Sequence, residues 1–219
     1  MAAALSSQGI KQRIASLEEW WFDTTRSVHT SGSLNSPRDT HVTGEVLDSY
    51  MYVPARAANI REALCALPVT DMSRYTFIDL GSGKGRSLFV AAEFPFRRVI
   101  GVEFVSELHR EATENIRRYR SSRRRCGEIE SVEGNAMEFD FPDDNLVLYL
   151  FNPFGPEIMT RVLDNLMRSL AVRPRHVVVL LLWPENSDLF AKTPGLKLYR
   201  QTRRHHIYQN VQNAAAPLA

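Results

Sequence analysis

A short glycine-rich turn carries residue types that bind charged ligands. It follows an apolar segment beginning at Tyr75 and reads Asp79-Leu80-Gly81-Ser82-Gly83-Lys84-Gly85. Glycines at alternate positions let backbone N–H groups approach a ligand closely, with the positive end of the following helix behind them. Several classes of charged ligand bind at such turns, and each class has its own spacing of glycines. The spacing in this sequence therefore indicates which class fits.

The spacing excludes one ligand class and disfavours another. A nucleoside-triphosphate loop has a glycine five residues before its Gly-Lys-Ser/Thr element, but Ile78 occupies that position and Gly85 replaces the hydroxyl residue. The dinucleotide pattern has its last glycine where Arg86 stands. Asp79 would face the ligand, and a carboxylate suits an ammonium or sulfonium group better than a pyrophosphate. The turn therefore favours S-adenosylmethionine.

An alternation of strands and helices surrounds the turn and would position it. Apolar strands are predicted at 75–80, 98–104, 128–132, 145–151 and 177–183. Segments 196–202 and 205–211 are too close for a crossover helix, so they must pair as an antiparallel hairpin. This order predicts an α/β fold: a Rossmann-like, doubly wound, seven-stranded sheet with a C-terminal β-hairpin.

Helices are predicted between these strands and ahead of them. One covers 57–67, one covers 86–94, one is capped by Ser106, and one opens at Pro156. An N-terminal helix is indicated by an apolar stripe formed by Ile10, Ile14, Leu17 and Trp21. A polar loop, 24–43, follows that helix. One of the adjacent Trp20 and Trp21 is expected to face the core while the other lines a pocket or a partner; the alternative is that both pack against the sheet edge.

The segment from about Tyr50 to about Val211 resembles the class I S-adenosylmethionine-dependent methyltransferases, and in pattern it is most similar to small bacterial members and to seven-strand lysine methyltransferases. Asp79 to Gly85 is similar to the family's first motif, Glu103 ends the second strand, and Gly134-Asn135-Ala136 follows the third. The resemblance implies an enzyme that transfers a methyl group in line to a nucleophile. It divides the chain into an N-terminal helix and loop that could form a cap (1–50), a methyltransferase domain (51–212) and a tail (213–219).

The resemblance also implies which residues contact the cofactor. Glu103 would accept hydrogen bonds from the ribose hydroxyls, and Asn135 would either accept one from the adenine amine or simply form a turn. Arg56 would either pair with the cofactor carboxylate or be solvated, and Lys84 is expected to point to solvent. The predicted cofactor-binding residues are Asp79, Gly81, Ser82, Gly83, Gly85, Glu103, Asn135, Ala136, Tyr52 and Arg56.

The predicted acceptor site is Asn152-Pro153-Phe154, directly after the fourth strand. It is similar to the Asn-Pro-Pro-aromatic motif of methyltransferases that act on amide or nucleobase nitrogen, with one proline missing. In those enzymes the Asn side chain and the next carbonyl accept hydrogen bonds from the nucleophile. The alternative is that Asn-Pro fixes a turn and Phe154 packs in the core. Neither a general base nor a metal site is predicted.

Composition limits the acceptor class. The chain has 219 residues and a formal net charge of +2, which requires no polyanion-binding surface. Its 27 basic residues include four lysines, which leaves 23 arginines, and six of these fall between Arg117 and Arg125. The sequence favours a protein side chain or a small molecule as acceptor. The alternatives are a nucleic-acid N-methyltransferase and a binding protein that holds S-adenosylmethionine without catalysis.

The expected location is the cytoplasm, without a membrane partner. The longest apolar run, from Val177 to Trp183, is far shorter than the ~20 residues of a membrane-spanning helix. Charged residues stand where a signal peptide would have its apolar stretch. Two cysteines, Cys65 and Cys126, form no disulfide framework and suit a reducing compartment.

Overall fold

A computed structural model of the chain describes residues 7–32, 53–151, 154–184 and 187–210, with side chains from Ser16 onward. Within them the strands are β1 (Tyr75–Leu80), β2 (Arg98–Glu103), β3 (Glu128–Glu133), β4 (Asn145–Leu150), β5 (Val177–Leu182), β6 (Leu196–Gln201) and β7 (His205–Asn210). The α-helices are α1 (Ser7–Arg26), α2 (Ala57–Cys65), α3 (Arg86–Ala91), α4 (Ser106–Arg118), α5 (Pro156–Val172) and α6 (Ser187–Lys192). Each strand ends within one residue of its prediction, whereas α6 was not predicted.

The strands form one mixed sheet in the order β3-β2-β1-β4-β5-β7-β6. The first five strands are parallel, β7 is antiparallel to β5, and β6 is antiparallel to β7. The predicted Rossmann-like sheet and its terminal hairpin are therefore confirmed. The chain runs outward from β1 to β3 and then returns to β4 beside β1. Open α/β sheets bind ligands at such a reversal, beyond the carboxyl ends of the strands.

The sheet separates two apolar cores. Alternate residues of each strand face opposite sides, so Phe77 and Tyr149 pack with α1, α2 and α3, while Ile78 and Leu148 pack with α5 and α6. Every residue of β5 is buried, as expected of a strand covered on both faces. The glycine turn lies between these layers at the end of β1.

Helix α1 contacts the core through a face that its apolar pattern does not predict. Leu17 and Trp21 are 64% and 62% exposed, and Trp20 is 61% exposed, so the expectation that one tryptophan faces the core is wrong. Phe22 is buried instead, beside the buried polar residues Asp23 and Arg26. These two polar groups have hydrogen-bond partners, which allows a partly polar face to pack inward. The side chains of Ile10 and Ile14 lie outside the described residues.

Two helix starts differ in how they are stabilised. Pro156 occupies the first turn of α5, as predicted. Ser106 is not the cap of α4, because Val105 holds that position and Ser106 is the first helical residue. The Ser106 hydroxyl donates a hydrogen bond to the Glu133 carboxylate at the end of β3. Among the described helices, none combines the length and the apolar character needed to cross a bilayer.

Candidate functional site

The glycine turn closes tightly against the neighbouring strand β2. Backbone N–H groups of Gly81 and Ser82 donate to the carbonyl oxygen of Val102, at 2.8 and 3.1 Å. Gly81 has a φ of 84° and Gly85 a φ of 89°, a region that side chains with a Cβ rarely adopt. Gly85 is the cap of α3, so the glycines bring the chain from the strand directly into the helix.

Asp79 lies under this turn, near the end of β1. Its side chain is buried, and it accepts a hydrogen bond from the hydroxyl of Ser87 on α3. Burial raises the pKa of Asp79 to about 7; the hydrogen bond from Ser87 opposes this rise, and the nearby charge of Glu103 adds to it. The described residues thus offer this carboxylate a hydroxyl but no ion pair, and a cation would stabilise its ionised form.

Glu103 lies beside Asp79, at the end of β2, and holds the turn through its carboxylate. One oxygen accepts a hydrogen bond from the N–H of Gly83 at 2.7 Å, and the other accepts one from the N–H of Val105 at 2.9 Å. Burial raises the pKa of Glu103, although these backbone hydrogen bonds oppose the rise. Each carboxylate oxygen can accept a second hydrogen bond, so the side chain retains capacity for ligand hydroxyls.

Two buried hydroxyl groups near the turn have no hydrogen-bond partner within the described part of the chain. They belong to Ser82, in the turn, and to Tyr149, which is the register partner of Asp79 on β4. Gly101 of β2 leaves room for Ser82, since a Cβ there would lie 2.6 Å from the Ser82 hydroxyl oxygen. Buried polar atoms are usually satisfied. Unpartnered hydroxyls at the point where the strand order reverses are suited to a polar ligand.

The turn after β3 completes the same edge of the sheet. The Gly134 N–H donates to the Glu103 carbonyl oxygen at 3.0 Å, which ties this turn to the end of β2. Asn135 accepts a hydrogen bond from the Met137 N–H at 3.0 Å, and Ala136 is buried in the core under α5. Asn135 thus has a turn-forming role, and its side chain still has acceptor capacity for a ligand.

Solved structures of similar architecture identify the fold. A predicted N6-adenine-specific DNA methylase from Listeria monocytogenes matches 78% of this chain at 14% identity with a TM-score of 0.51, and this chain spans about half (53%) of that one. A candidate RNA methyltransferase from Pyrococcus horikoshii matches at 18% identity over 72% of this chain and 83% of its own, with a TM-score of 0.51. The fold is that of the class I methyltransferases. No protein-family model matches the sequence, and no curated protein sequence does either.

The methyltransferase fold brings together most, but not all, of the predicted residues. Arg56 lies at the start of α2, where it forms a half-exposed ion pair with Glu18 of α1. Phe154 is partly buried and packs against the core under α5. Tyr52, Asn152 and Pro153 lie outside the described residues. The acceptor role of Asn152-Pro153-Phe154 stays a prediction, as does the contact of Arg56 with the cofactor.

Lys84 does not point to solvent, and that prediction is wrong. It is 8% exposed, and its amine lies 3.0 Å from a carboxylate oxygen of Glu111 on α4. The backbone of the same residue is held as well, because the Asn115 side chain donates to the Lys84 carbonyl oxygen at 3.0 Å. Helix α4 therefore fixes the outer side of the glycine turn, a contact between distant segments that local pattern does not reveal.

Residues 23–31, which we call the capping segment, are bound to the turn by Asn115 and Arg86. Asn115 accepts a hydrogen bond from the His29 N–H at 2.8 Å and donates to the His29 carbonyl oxygen at 3.1 Å. Arg86, buried next to Gly85, donates to the hydroxyls of Thr30 and Ser31 at 2.8 and 2.9 Å. These contacts join the N-terminal extension to the start of α3.

Asp23 stabilises the capping segment from within. Its carboxylate accepts hydrogen bonds from the Thr30 N–H at 2.9 Å, from the Thr30 hydroxyl at 2.6 Å and from the Ser31 N–H at 3.0 Å. Four residues around the turn were not predicted from the sequence: Asp23, Ser87, Asn115 and Tyr149. Only Ser87 had a local signal, as a hydroxyl residue in the first turn of the helix that follows the glycines.

Proposed function

We propose that this chain is an S-adenosylmethionine-dependent methyltransferase. The observation that carries the proposal is the pair of buried carboxylates, Asp79 and Glu103, under a glycine turn where the strand order of a methyltransferase fold reverses. Both acids have a raised pKa because they are buried. A ligand with positive charge and hydroxyl groups matches this pair, whereas a pyrophosphate would be repelled.

The residues present fit that cofactor. Asp79 would face its positively charged groups, Glu103 would accept hydrogen bonds from its ribose, and Asn135 and Ala136 would border its base. The unpartnered hydroxyl of Ser82 adds a polar group at the turn. When bound, the cofactor supplies a methyl group on a sulfonium. The chain itself has to bind the two reactants, orient them and exclude water.

The capping segment supports the proposed division into an N-terminal cap (1–50) and a methyltransferase domain (51–212). Its hydrogen bonds to Arg86 and Asn115 attach it beside the glycine turn. A covering element in that place would exclude water from bound cofactor.

A protein side chain or a small molecule was the acceptor that the sequence favoured. The Listeria and Pyrococcus proteins are named as nucleic-acid methylases, which supports the nucleic-acid alternative.

The assignment is tested by thermal unfolding with S-adenosylmethionine and S-adenosylhomocysteine. Both ligands should raise the melting temperature of the wild type, because a ligand that binds only the folded state stabilises it. Asp79→Ala and Glu103→Ala should abolish this rise. Asp164→Ala, which removes an exposed carboxylate on α5, is the matched control and should retain it. An unchanged wild-type melting temperature at millimolar ligand would contradict the cofactor assignment.

The acceptor class is tested separately by transfer of a labelled methyl group into a cell extract. The products are then digested with protease or with nuclease. Label released only by protease would favour a protein acceptor, and label that passes a size filter before digestion would favour a small molecule. Label released only by nuclease would favour a nucleic acid. No labelled product, in the presence of a clear cofactor-induced stabilisation, would favour a binding protein without catalysis.

A further inference from the structure

A cavity lies between α1, the start of α2 and the loop that follows α4, and one of its lining residues, Arg56, is also a predicted cofactor contact. Its volume is about 390 Å³. We call it the arginine pocket, because five guanidinium groups line it: Arg26, Arg56, Arg61, Arg86 and Arg123. Three carboxylates oppose them, two in the wall (Glu18 and Glu19) and one behind it (Glu93). Two positive charges are therefore in excess.

The inner and outer arginines have different roles. Arg26 and Arg86 are buried at the inner end, where Glu93 holds one and the capping segment holds the other. Arg123 lies at the mouth, is exposed, and has no ion pair with any described residue. The mouth also has Arg56, whose pair with Glu18 is half exposed on both sides. Because exposed ion pairs contribute little to stability, an incoming anion can replace Glu18.

Aromatic surface adjoins these charges. The indole of Trp21 forms part of the pocket wall and is 62% exposed, and Trp20 next to it is 61% exposed. Large apolar side chains exposed together are uncommon on soluble proteins and mark interaction surfaces. A flat indole beside guanidinium groups offers a stacking face for a base and charge for a phosphate.

The loop after α4 extends the positive surface. Arg117 and Arg118 pair with Glu114, but Arg120, Arg123, Arg124 and Arg125 have no acidic partner among the described residues. The loop is attached to α1, because the Arg120 N–H donates to the Arg26 carbonyl oxygen at 3.0 Å. Arg123 of this positive loop and Trp21 therefore border one pocket.

We infer that the arginine pocket binds a single-stranded nucleic acid, with a backbone phosphate at Arg123 and Arg56 and a base on Trp21. Guanidinium groups match carboxylate and phosphate equally well, but an acidic peptide would leave the exposed indole of Trp21 without a stacking partner. A duplex would keep its bases stacked and away from Trp21. The inference rests on the proposed function in one respect, namely that the bound strand would be the methyl acceptor. Binding of the strand itself requires no catalysis.

The test is fluorescence anisotropy with a labelled single-stranded 12-nucleotide RNA and DNA, the corresponding duplexes, and a polyglutamate peptide. The wild type should bind the single strands best, and increasing salt should weaken this binding. Arg123→Glu should weaken binding at least fivefold and lower the salt slope by about one. Trp21→Ala should weaken it about fivefold or more, because stacking on an aromatic ring contributes that much per base.

The matched control is Arg168→Glu on α5, which changes the same charge on the opposite face of the sheet and should remain within twofold of wild type. An equal loss in Arg168→Glu, or no loss in Trp21→Ala, would reduce the binding to general charge attraction and overturn the inference. Preference for polyglutamate or for the duplexes would overturn it as well. S-adenosylmethionine should still raise the melting temperature of Arg123→Glu and Trp21→Ala, so a failure of strand binding is distinct from a failure of cofactor binding.

Discussion

Replacing Asp79 by asparagine should make the protein without cofactor more stable above neutral pH. The side chain is 4% exposed, and its pKa is about 7 in the folded state against an ordinary value of 3.8. Between these values the folded protein retains a proton that the unfolded chain has lost, so the free energy of unfolding falls as the pH rises. The folded and unfolded pKa values differ by about three pH units, so at pH 8 this carboxylate lowers the free energy of unfolding by ~4 kcal/mol.

Asparagine has nearly the shape of aspartate, and its amide oxygen can still accept the hydrogen bond from Ser87. It carries no charge to desolvate. Urea unfolding of Asp79→Asn and wild type should therefore give similar free energies near pH 4 and increasingly different ones up to pH 8. The variant should be more stable by up to ~4 kcal/mol at pH 8.

Asp164→Asn is the control, since it makes the same change on the exposed face of α5 and should leave the curve of the wild type unchanged. Glu103 is retained in both proteins, so its own contribution to the pH dependence cancels to first order. Parallel curves for Asp79→Asn and wild type, or a variant less stable at pH 8, would refute the reasoning. Such a result would mean that the carboxylate has a favourable partner in the folded protein.

Three further predictions concern the same region. Binding of S-adenosylmethionine, followed by calorimetry, should tighten about tenfold between pH 6 and pH 8 in the wild type, because Asp79 must lose its proton. Asp79→Asn should bind weakly at both pH values, without this increase. Asn115→Ala removes three hydrogen bonds of a buried side chain and should lower the free energy of unfolding by ~2–3 kcal/mol and speed amide exchange at His29. Asn165→Ala removes one hydrogen bond and should cost ~1 kcal/mol. Gly101→Ala places a Cβ 2.6 Å from the Ser82 hydroxyl oxygen and should cost ~1–3 kcal/mol by the same assay, with a smaller loss in a Ser82→Gly background.

The sheet could be predicted from the sequence because its signals are local. Buried parallel strands such as β5 are apolar throughout, and breaking residues bound them, so their ends were placed within one residue. The hairpin followed from the short distance between its two strands. The glycine turn and Glu103 could be placed at the ends of β1 and β2 for the same reason, since their spacing relative to the predicted strands fixes both positions.

The contacts around the turn could not be predicted, because they join distant segments. Lys84 is buried against α4, where Glu111 pairs with its amine and Asn115 donates to its carbonyl oxygen, and neither neighbour is visible in the local pattern. Periodicity placed Leu17 and Trp21 on one helical face, but it could not show whether that face is buried. The packing of Phe22, with partners available for Asp23 and Arg26, selected a different face of α1.

The partners of Asp79 and of Glu93 decide whether the charge of each carboxylate stabilises the fold. Asp79 is buried and Glu93 is partly buried, and desolvation by itself raises the pKa of each. Hydrogen bonds from Arg61 and Arg26 outweigh burial at Glu93 and hold its pKa below the ordinary value, so that charge stabilises the folded state. Among the described residues, Asp79 has only the Ser87 hydroxyl as a hydrogen-bond partner and lies near a second acid, so its charge destabilises the protein. A cation bound at the glycine turn, as proposed for S-adenosylmethionine, would reverse that effect.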